Sequence, residues 1–100
     1  MKVDREEIKK HVIEALVDVL NDESVPVIDE KTNPIITLGL DSFSGVDYAC
    51  SLSTRLKFHI PNHINPLVDD DLNIARDVEG IINLVCELML PEGERLNGRR

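Results

Sequence analysis

The sequence has few aromatic residues and no tryptophan. Only Phe43, Tyr48 and Phe58 carry rings, although hydrophobic residues make up 42% of the 100-residue chain. That hydrophobic content excludes a chain that is disordered throughout, and the scarcity of rings predicts an aliphatic core. A chain of this length suffices for one compact domain. We therefore predict one helical domain over residues 1–90 and a disordered C-terminal tail over residues 91–100.

Basic residues are also scarce. Eleven Lys and Arg stand against nineteen Asp and Glu, which gives a formal net charge of −8. Such a charge repels nucleic acid and anionic lipid and attracts basic protein surfaces. We therefore expect protein partners and no nucleic-acid partner, and a monomer is the expected state of so charged a small domain.

Long apolar runs and paired cysteines are absent. No run approaches the roughly 18 residues of a membrane span, and the amino terminus lacks the apolar centre of a signal peptide. Cys50 and Cys86 have no CxxC spacing and no neighbouring His cluster, so we interpret both as buried free thiols. These features predict a cytoplasmic protein without stable membrane insertion.

Apolar residues recur at helical spacing in three segments, which predicts helices over residues 5–20, 42–57 and 78–89. Asp4 and Asp77 are natural N-caps, Glu7 completes a capping box with Asp4, and Val3 is placed to pack on Ile8 as a hydrophobic staple. A short helix is expected from Pro66 to Leu72. The apolar positions of the second helix are Phe43, Val46, Ala49, Cys50, Leu52 and Leu56.

The connection over residues 21–40 shows no periodicity and contains Pro26 and Pro34. So long a connection is unusual inside a compact domain unless its apolar residues hold it against the helices. Together these segments predict an all-α fold, a small antiparallel helical bundle with three main helices, one short helix and a long loop between helices one and two. The apolar residues of the loop are Val25, Val27, Ile28, Ile35, Ile36, Leu38 and Leu40.

The tetrapeptide Gly39-Leu40-Asp41-Ser42 joins this loop to the second helix. Free N–H groups and the helix dipole favour negative charge at a helix start, so a phosphodiester on Ser42 would be stabilised there. Taken alone, the four residues fit an ordinary helix start better, with Asp41 or Ser42 as the cap and Gly39 in a turn. Capping and modification are compatible.

The combination of this tetrapeptide with its surroundings resembles the acyl carrier protein family over roughly residues 5–88. Gly39-Leu40-Asp41-Ser42 matches the family's attachment motif, and an amphipathic helix and a long loop precede it, as in the family. Phe58-His59-Ile60-Pro61 resembles the family's usual exit from its second helix. The apolar spacing of its last helix is matched by Ile74, Val78, Ile81, Ile82 and Val85.

The resemblance implies a carrier and not an enzyme. Ser42 would receive phosphopantetheine from coenzyme A within the motif formed with Gly39, Leu40 and Asp41. The thiol of the arm would hold an acyl thioester for fatty-acid, lipid or polyketide-type biosynthesis. Implied partners are a phosphopantetheinyl transferase and acyl-loading, synthase or acyltransferase enzymes. The alternative is a helical protein-interaction domain that carries nothing.

The second helix departs from the family pattern. Phe43 stands where many members have Leu, and Asp47 is the one acid on a helix that commonly carries several. We identify Phe43, Val46 and Asp47 as candidate partner-binding residues. The nearly neutral face favours a dedicated pathway with its own enzymes, but acids elsewhere, including Asp41 and Asp69-Asp70-Asp71, could equally supply the attractive field.

Other constellations are weaker. Asp69-Asp70-Asp71 lacks the alternating spacing and the distal Glu of a calcium loop. His59 and His63 are four apart, but Pro61 breaks the helix that would bring them together. A hydrolase is disfavoured because Ser42 has neither a Gly-x-Ser-x-Gly elbow nor a credible His–acid pair. We expect no metal site and no catalytic residue.

Overall fold

A computed structural model describes residues 4–20, 27–41, 43–61, 63–69 and 72–89. It is an all-α bundle of three helices with one very small antiparallel strand pair, which confirms the predicted fold class. The tail over residues 91–100 lies outside the described residues. The helices are α1 (Arg5–Leu20), α2 (Ser44–Leu56) and α3 (Val78–Met89), and the strands are β1 (Val68–Asp69) and β2 (Ile74–Ala75).

The first helix packs against both of the others. Arg5, at the start of α1, lies beside Cys86 near the end of α3, with 4.0 Å between Nη1 and Sγ. Ile8 lines a common cavity with Leu56 and Met89, the last residues of α2 and α3. The start of α1 therefore meets the ends of the other two helices.

Side-chain caps fix where α1 and α3 begin. Asp4 Oδ1 accepts the N–H groups of Glu6 at 3.0 Å and Glu7 at 3.4 Å. Asp77 Oδ1 accepts the N–H of Gly80 at 2.8 Å. Both caps confirm the predictions, because each carboxylate satisfies a donor that has no partner inside its helix. The expected staple involves Val3, which lies outside the described residues.

The core is aliphatic apart from one ring, that of Tyr48. The second helix contributes Gly45, Tyr48 and Leu52 to the buried face; burial of Leu52 confirms the prediction, whereas Gly45 and Tyr48 were not predicted to be buried. Phe43, Val46 and Cys50 were expected to face inward but are exposed. Spacing alone allowed either stripe, and the stripe that meets α1 is the one that contains Tyr48. The buried apolar residues are Ile8, Val12, Ala15, Leu16, Tyr48, Leu52, Ile60, Ile64, Leu67, Val78, Ile81, Ile82, Leu84, Val85 and Leu88.

The loop between α1 and α2 is bonded to the start of α3. The carbonyls of Thr32 and Glu30 accept the N–H groups of Val78 at 2.8 Å and Glu79 at 2.9 Å. Asn33 Nδ2 donates to the carbonyl of Ala75 at 3.1 Å. The expected apolar attachment holds for Ile28, Ile35, Leu38 and Leu40, which pack on the core, but not for the exposed Val27 and Ile36. Val25 lies outside the described residues.

The short helix expected over residues 66–72 is wrong for the described part of that segment. Val68 and Asp69 pair instead with Ala75 and Ile74 in an antiparallel ladder. The ladder continues with the N–H of Arg76, which donates to the carbonyl of Leu67 at 2.9 Å. Branched Val68 and Ile74 favour strands, and partners five or more residues away replace the bonds of a local helical turn.

A polar cluster links α1 to α2. Arg55 donates to both oxygens of Asp18, Nε to Oδ2 at 2.8 Å and Nη2 to Oδ1 at 3.0 Å. Arg55 Nη1 also donates to Glu14 Oε1 at 3.2 Å, and Ser51 Oγ donates to Asp18 Oδ2 at 2.9 Å. The Arg55 and Ser51 hydrogen bonds hold the pKa of Asp18 below its ordinary value.

Replacing Arg55 with Met is expected to raise the pKa of Asp18 and to lower the stability of the bundle at neutral pH. Since folding lowers the pKa of Asp18, the stabilisation exists above the unfolded pKa of about 3.9 and is lost as pH falls through the folded value. Urea unfolding of both proteins at neutral and acidic pH, in low and high salt, measures this. Lys10→Met is the control, because it removes an exposed positive charge outside the cluster. A stability difference that persists unchanged in acid would contradict the assignment.

Candidate functional site at the start of the second helix

The attachment-like motif lies immediately before α2. Ser42 itself lies outside the described residues, so its predicted role stays a prediction, but residues on both sides of it are described. Gly39 has φ of +80°, a left-handed conformation that glycine adopts without steric penalty. The N–H of Ser44 donates to the carbonyl of Asp41 at 3.1 Å. Asp41 is thus bonded directly to the first residue of α2.

Asp41 also caps the start of α2 through its side chain. Its Oδ1 accepts the N–H of Ser44 at 3.0 Å and the Ser44 hydroxyl at 3.2 Å. This bonding explains why α2 begins at Ser44 instead of Ser42 as predicted. The carboxylate of Asp41 also places a negative charge beside the helix start, which weakens the helix-dipole argument for a phosphodiester at position 42.

The residues predicted to bind partners are exposed. Phe43 is 85% exposed and Val46 is 71% exposed. Because they are three residues apart, they lie on one side of the first turn of α2. Asp47 beside them is also exposed. Leu40, within the motif, packs partly against the core instead. The structure therefore brings Phe43 and Val46 together as an apolar patch next to the motif.

A groove of about 490 Å³ runs along α2 from its first turn. One wall is α2 and the other is formed by residues 59–61 and 63–65 of the segment that follows it. Cys50 lines the groove and is exposed, which corrects its prediction as a buried thiol, whereas Cys86 is half-buried. The lining residues are Gly45, Val46, Ala49, Cys50, Ser53, Thr54, His59, Ile60, Pro61, His63, Ile64 and Asn65.

His59 and His63 share this groove with the Cys50 thiol. Among the residues that the structure describes, no three His, Cys, Asp or Glu side chains are placed to hold a metal ion together. Asp70 and Asp71, part of the acidic run considered above, lie outside the described residues. Within that same part of the chain, no helix has the length and apolar character needed to cross a bilayer.

Two residues of this region were missed from the sequence. Tyr48 fixes α2 on α1, with its hydroxyl donating to the Val12 carbonyl at 3.0 Å. Asn65 packs directly over Gly45 in the first turn of α2. A glycine so early in a predicted helix was the available signal, because it often marks a close approach of another segment.

Comparison of the chain with protein-family models, with curated proteins and with solved structures finds no match. The likeness to acyl carrier proteins thus rests on the motif and its surroundings in this chain.

Proposed function

We propose that this protein is an acyl carrier protein, with phosphopantetheine attached to Ser42. The observation that supports the proposal is the setting of the motif. Gly39 turns the chain, Asp41 caps the following helix and exposed Phe43 comes directly after position 42. The described residues on both sides of position 42 thus lead directly into α2 of the three-helix bundle, which supports the arrangement that the resemblance implies.

The chemistry belongs to partner enzymes. A phosphopantetheinyl transferase would break the pyrophosphate bond of coenzyme A and form a phosphodiester with the Ser42 hydroxyl. Adenosine bisphosphate would leave, and the hydroxyl proton would pass to a base of the transferase. The arm's thiol would then exchange acyl groups with loading, synthase or acyltransferase enzymes. We place this carrier in the cytoplasm, where the free thiols of Cys50 and Cys86 would stay reduced.

The exposed patch of Phe43 and Val46 is the proposed contact for these partners. Arg55 is engaged by Asp18 and Glu14, so the charge that α2 presents beside the patch is mainly that of Asp47. Apolar contact and shape would then contribute more to recognition than long-range attraction. This supports a dedicated set of partner enzymes for the carrier.

Ser42→Ala is expected to abolish phosphopantetheine attachment, because it removes the accepting hydroxyl. The measurement is intact-mass spectrometry after incubation with coenzyme A and a broad-specificity phosphopantetheinyl transferase. Ser44→Ala is the matched control, since it removes a second hydroxyl two residues away, one that donates to Asp41. Wild type and Ser44→Ala should each gain the mass of one phosphopantetheine, and Ser42→Ala none.

The proposal fails if folded wild-type protein stays unmodified with both the broad-specificity enzyme and the transferase of its own organism. The second enzyme is needed because Phe43 stands where many family members have Leu. Circular dichroism establishes that the sample is helical. Failure would favour the helical interaction domain, for which the same exposed Phe43 and Val46 would be the binding surface.

A further inference from the structure

The first turn of α2 is in unusually close contact with a distant loop. Gly45 is buried, and the side-chain amide of Asn65 fills the space where a Cβ would stand. A Cβ at position 45 would lie 2.7 Å from Asn65 Nδ2 and closer still to the rest of the amide. Even alanine would therefore displace Asn65 or the helix turn.

Asn65 is also held from its other side. Its Oδ1 accepts the N–H of Leu67 at 2.9 Å, and its carbonyl accepts Arg76 Nη1 at 2.8 Å. The same Nη1 donates to the carbonyl of Val68 at 2.7 Å. The side-chain amide therefore does not leave Gly45 without breaking its bond to Leu67, while Arg76 holds the backbone of Asn65 beside that of Val68.

This contact is close in sequence to the proposed attachment position. Gly45 follows Ser42 by three residues, less than one helical turn of chain. Gly45 and Asn65 both line the end of the groove formed by the first turn of α2. Asp41 fixes the same turn from the motif side through Ser44. The start of α2 is thus bound between the motif and the loop that carries Asn65.

We propose that Asn65 is a positioning residue for the modification of Ser42, an inference that rests on the proposed carrier function. Seated on Gly45, Asn65 fixes the first turn of α2 in the position to which the transferase binds. It takes no part in the chemistry. A turn that is already ordered lowers the cost of docking, and misplacement of an attacking group by about 1 Å can reduce a rate by about 100-fold.

The test is a kinetic double-mutant cycle of Gly45→Ala and Asn65→Ala, with phosphopantetheine transfer from coenzyme A as the reaction. Each single variant is expected to lower kcat/KM by about tenfold, mainly through kcat, with the KM for coenzyme A unchanged. The double variant should be no slower than the slower single variant, because both substitutions remove the same contact.

Two variants serve as controls. Gly80→Ala makes the same substitution in the first turn of α3, where a Cβ would meet Asp77 Oδ1 at 3.3 Å, and should transfer like wild type. Asn65→Asp keeps the shape and the Oδ1 acceptor for Leu67, and should retain most of the wild-type kcat. If Gly45→Ala does not fold, the comparison of Asn65→Ala with Asn65→Asp tests the proposal instead. Thermal unfolding shows which variants are folded at the assay temperature.

The outcomes are separable. Wild-type transfer rates in folded Asn65→Ala and Gly45→Ala, or losses that simply add in the double variant, would overturn the positioning role. A loss in Gly80→Ala equal to that in Gly45→Ala would overturn it as well, because the effect would then be one of helix stability. Failure of the carrier function itself would already be visible with the wild-type protein, which would give no product.

Discussion

Leu52→Ala is expected to lower the free energy of unfolding by about 3 kcal/mol. Leu52 is fully buried on the inner face of α2, within the aliphatic core that joins the three helices. Truncation removes apolar surface from that core and leaves a cavity. The cavity stays open because the helices around it are held by their other contacts and can relax only partly. Urea unfolding followed by circular dichroism measures the loss as a lower midpoint with an unchanged slope.

Leu72→Ala is the matched control for this experiment. It removes the same atoms from a side chain that is 60% exposed in the strand-pair region. Its free energy of unfolding should stay within about 0.5 kcal/mol of the wild-type value. Similar losses in the two variants would mean that α2 does not pack through Leu52.

Alkaline pH is expected to unfold the protein through Tyr48, the chain's only tyrosine. Burial raises the pKa of Tyr48 far above its usual value. The unfolded chain then releases this proton at a lower pH than the folded chain. The stabilisation is complete below the unfolded pKa of about 10 and is lost above it, by about 1.4 kcal/mol per pH unit.

Ultraviolet titration of the single phenol, run beside circular dichroism, measures this prediction. The phenolate absorbance should rise together with the loss of helix. An exposed tyrosine would instead titrate in the folded protein with a midpoint near pH 10. Tyr48→Phe is the control. It loses the hydrogen bond to the Val12 carbonyl, about 1 kcal/mol at neutral pH, but should show no contribution from this position to alkaline unfolding. Phenolate in a fully helical sample near pH 10 would contradict the burial of Tyr48.

The sequence was sufficient to predict α1 and α3, because local signals agreed there. Asp4 and Asp77 cap the helices that they precede, and the apolar stripe inside each helix has one obvious direction. Capping and periodicity act within a few residues of the chain, so they are visible without knowledge of the tertiary fold.

The face of α2 was not predictable in the same way. Phe43, Val46 and Cys50 were predicted to face inward together with Leu52. Gly45 and Tyr48 fit helical spacing with Leu52 equally well. The choice depends on the partner: the hydroxyl of Tyr48 finds its acceptor on α1, 36 residues away. A tyrosine with such an acceptor is satisfied in the core, and the more apolar Phe43 stays outside.

Long-range contacts also explain what was missed at the candidate site. The exposed position of Asp47 and the capping role of Asp41 follow from nearby sequence. The contact of Asn65 with Gly45 and the strand pair at Val68 and Asp69 depend instead on Arg76, whose guanidinium binds carbonyls of both segments. No local pattern predicts which carbonyls an arginine will bind.

The bonds from Val78 and Glu79 to the loop carbonyls of Thr32 and Glu30 provide a probe of motion in the native protein. The first amides of a helix have no acceptor within that helix and would exchange freely with solvent deuterium. Here the loop carbonyls protect them for as long as the loop stays in place. Their exchange rates therefore report how often residues 30–32 detach, separately from global unfolding. The same loop continues to Gly39 and Asp41. The exchange rates of the Val78 and Glu79 amides would therefore also report how often the segment that leads to Ser42 moves away from α3.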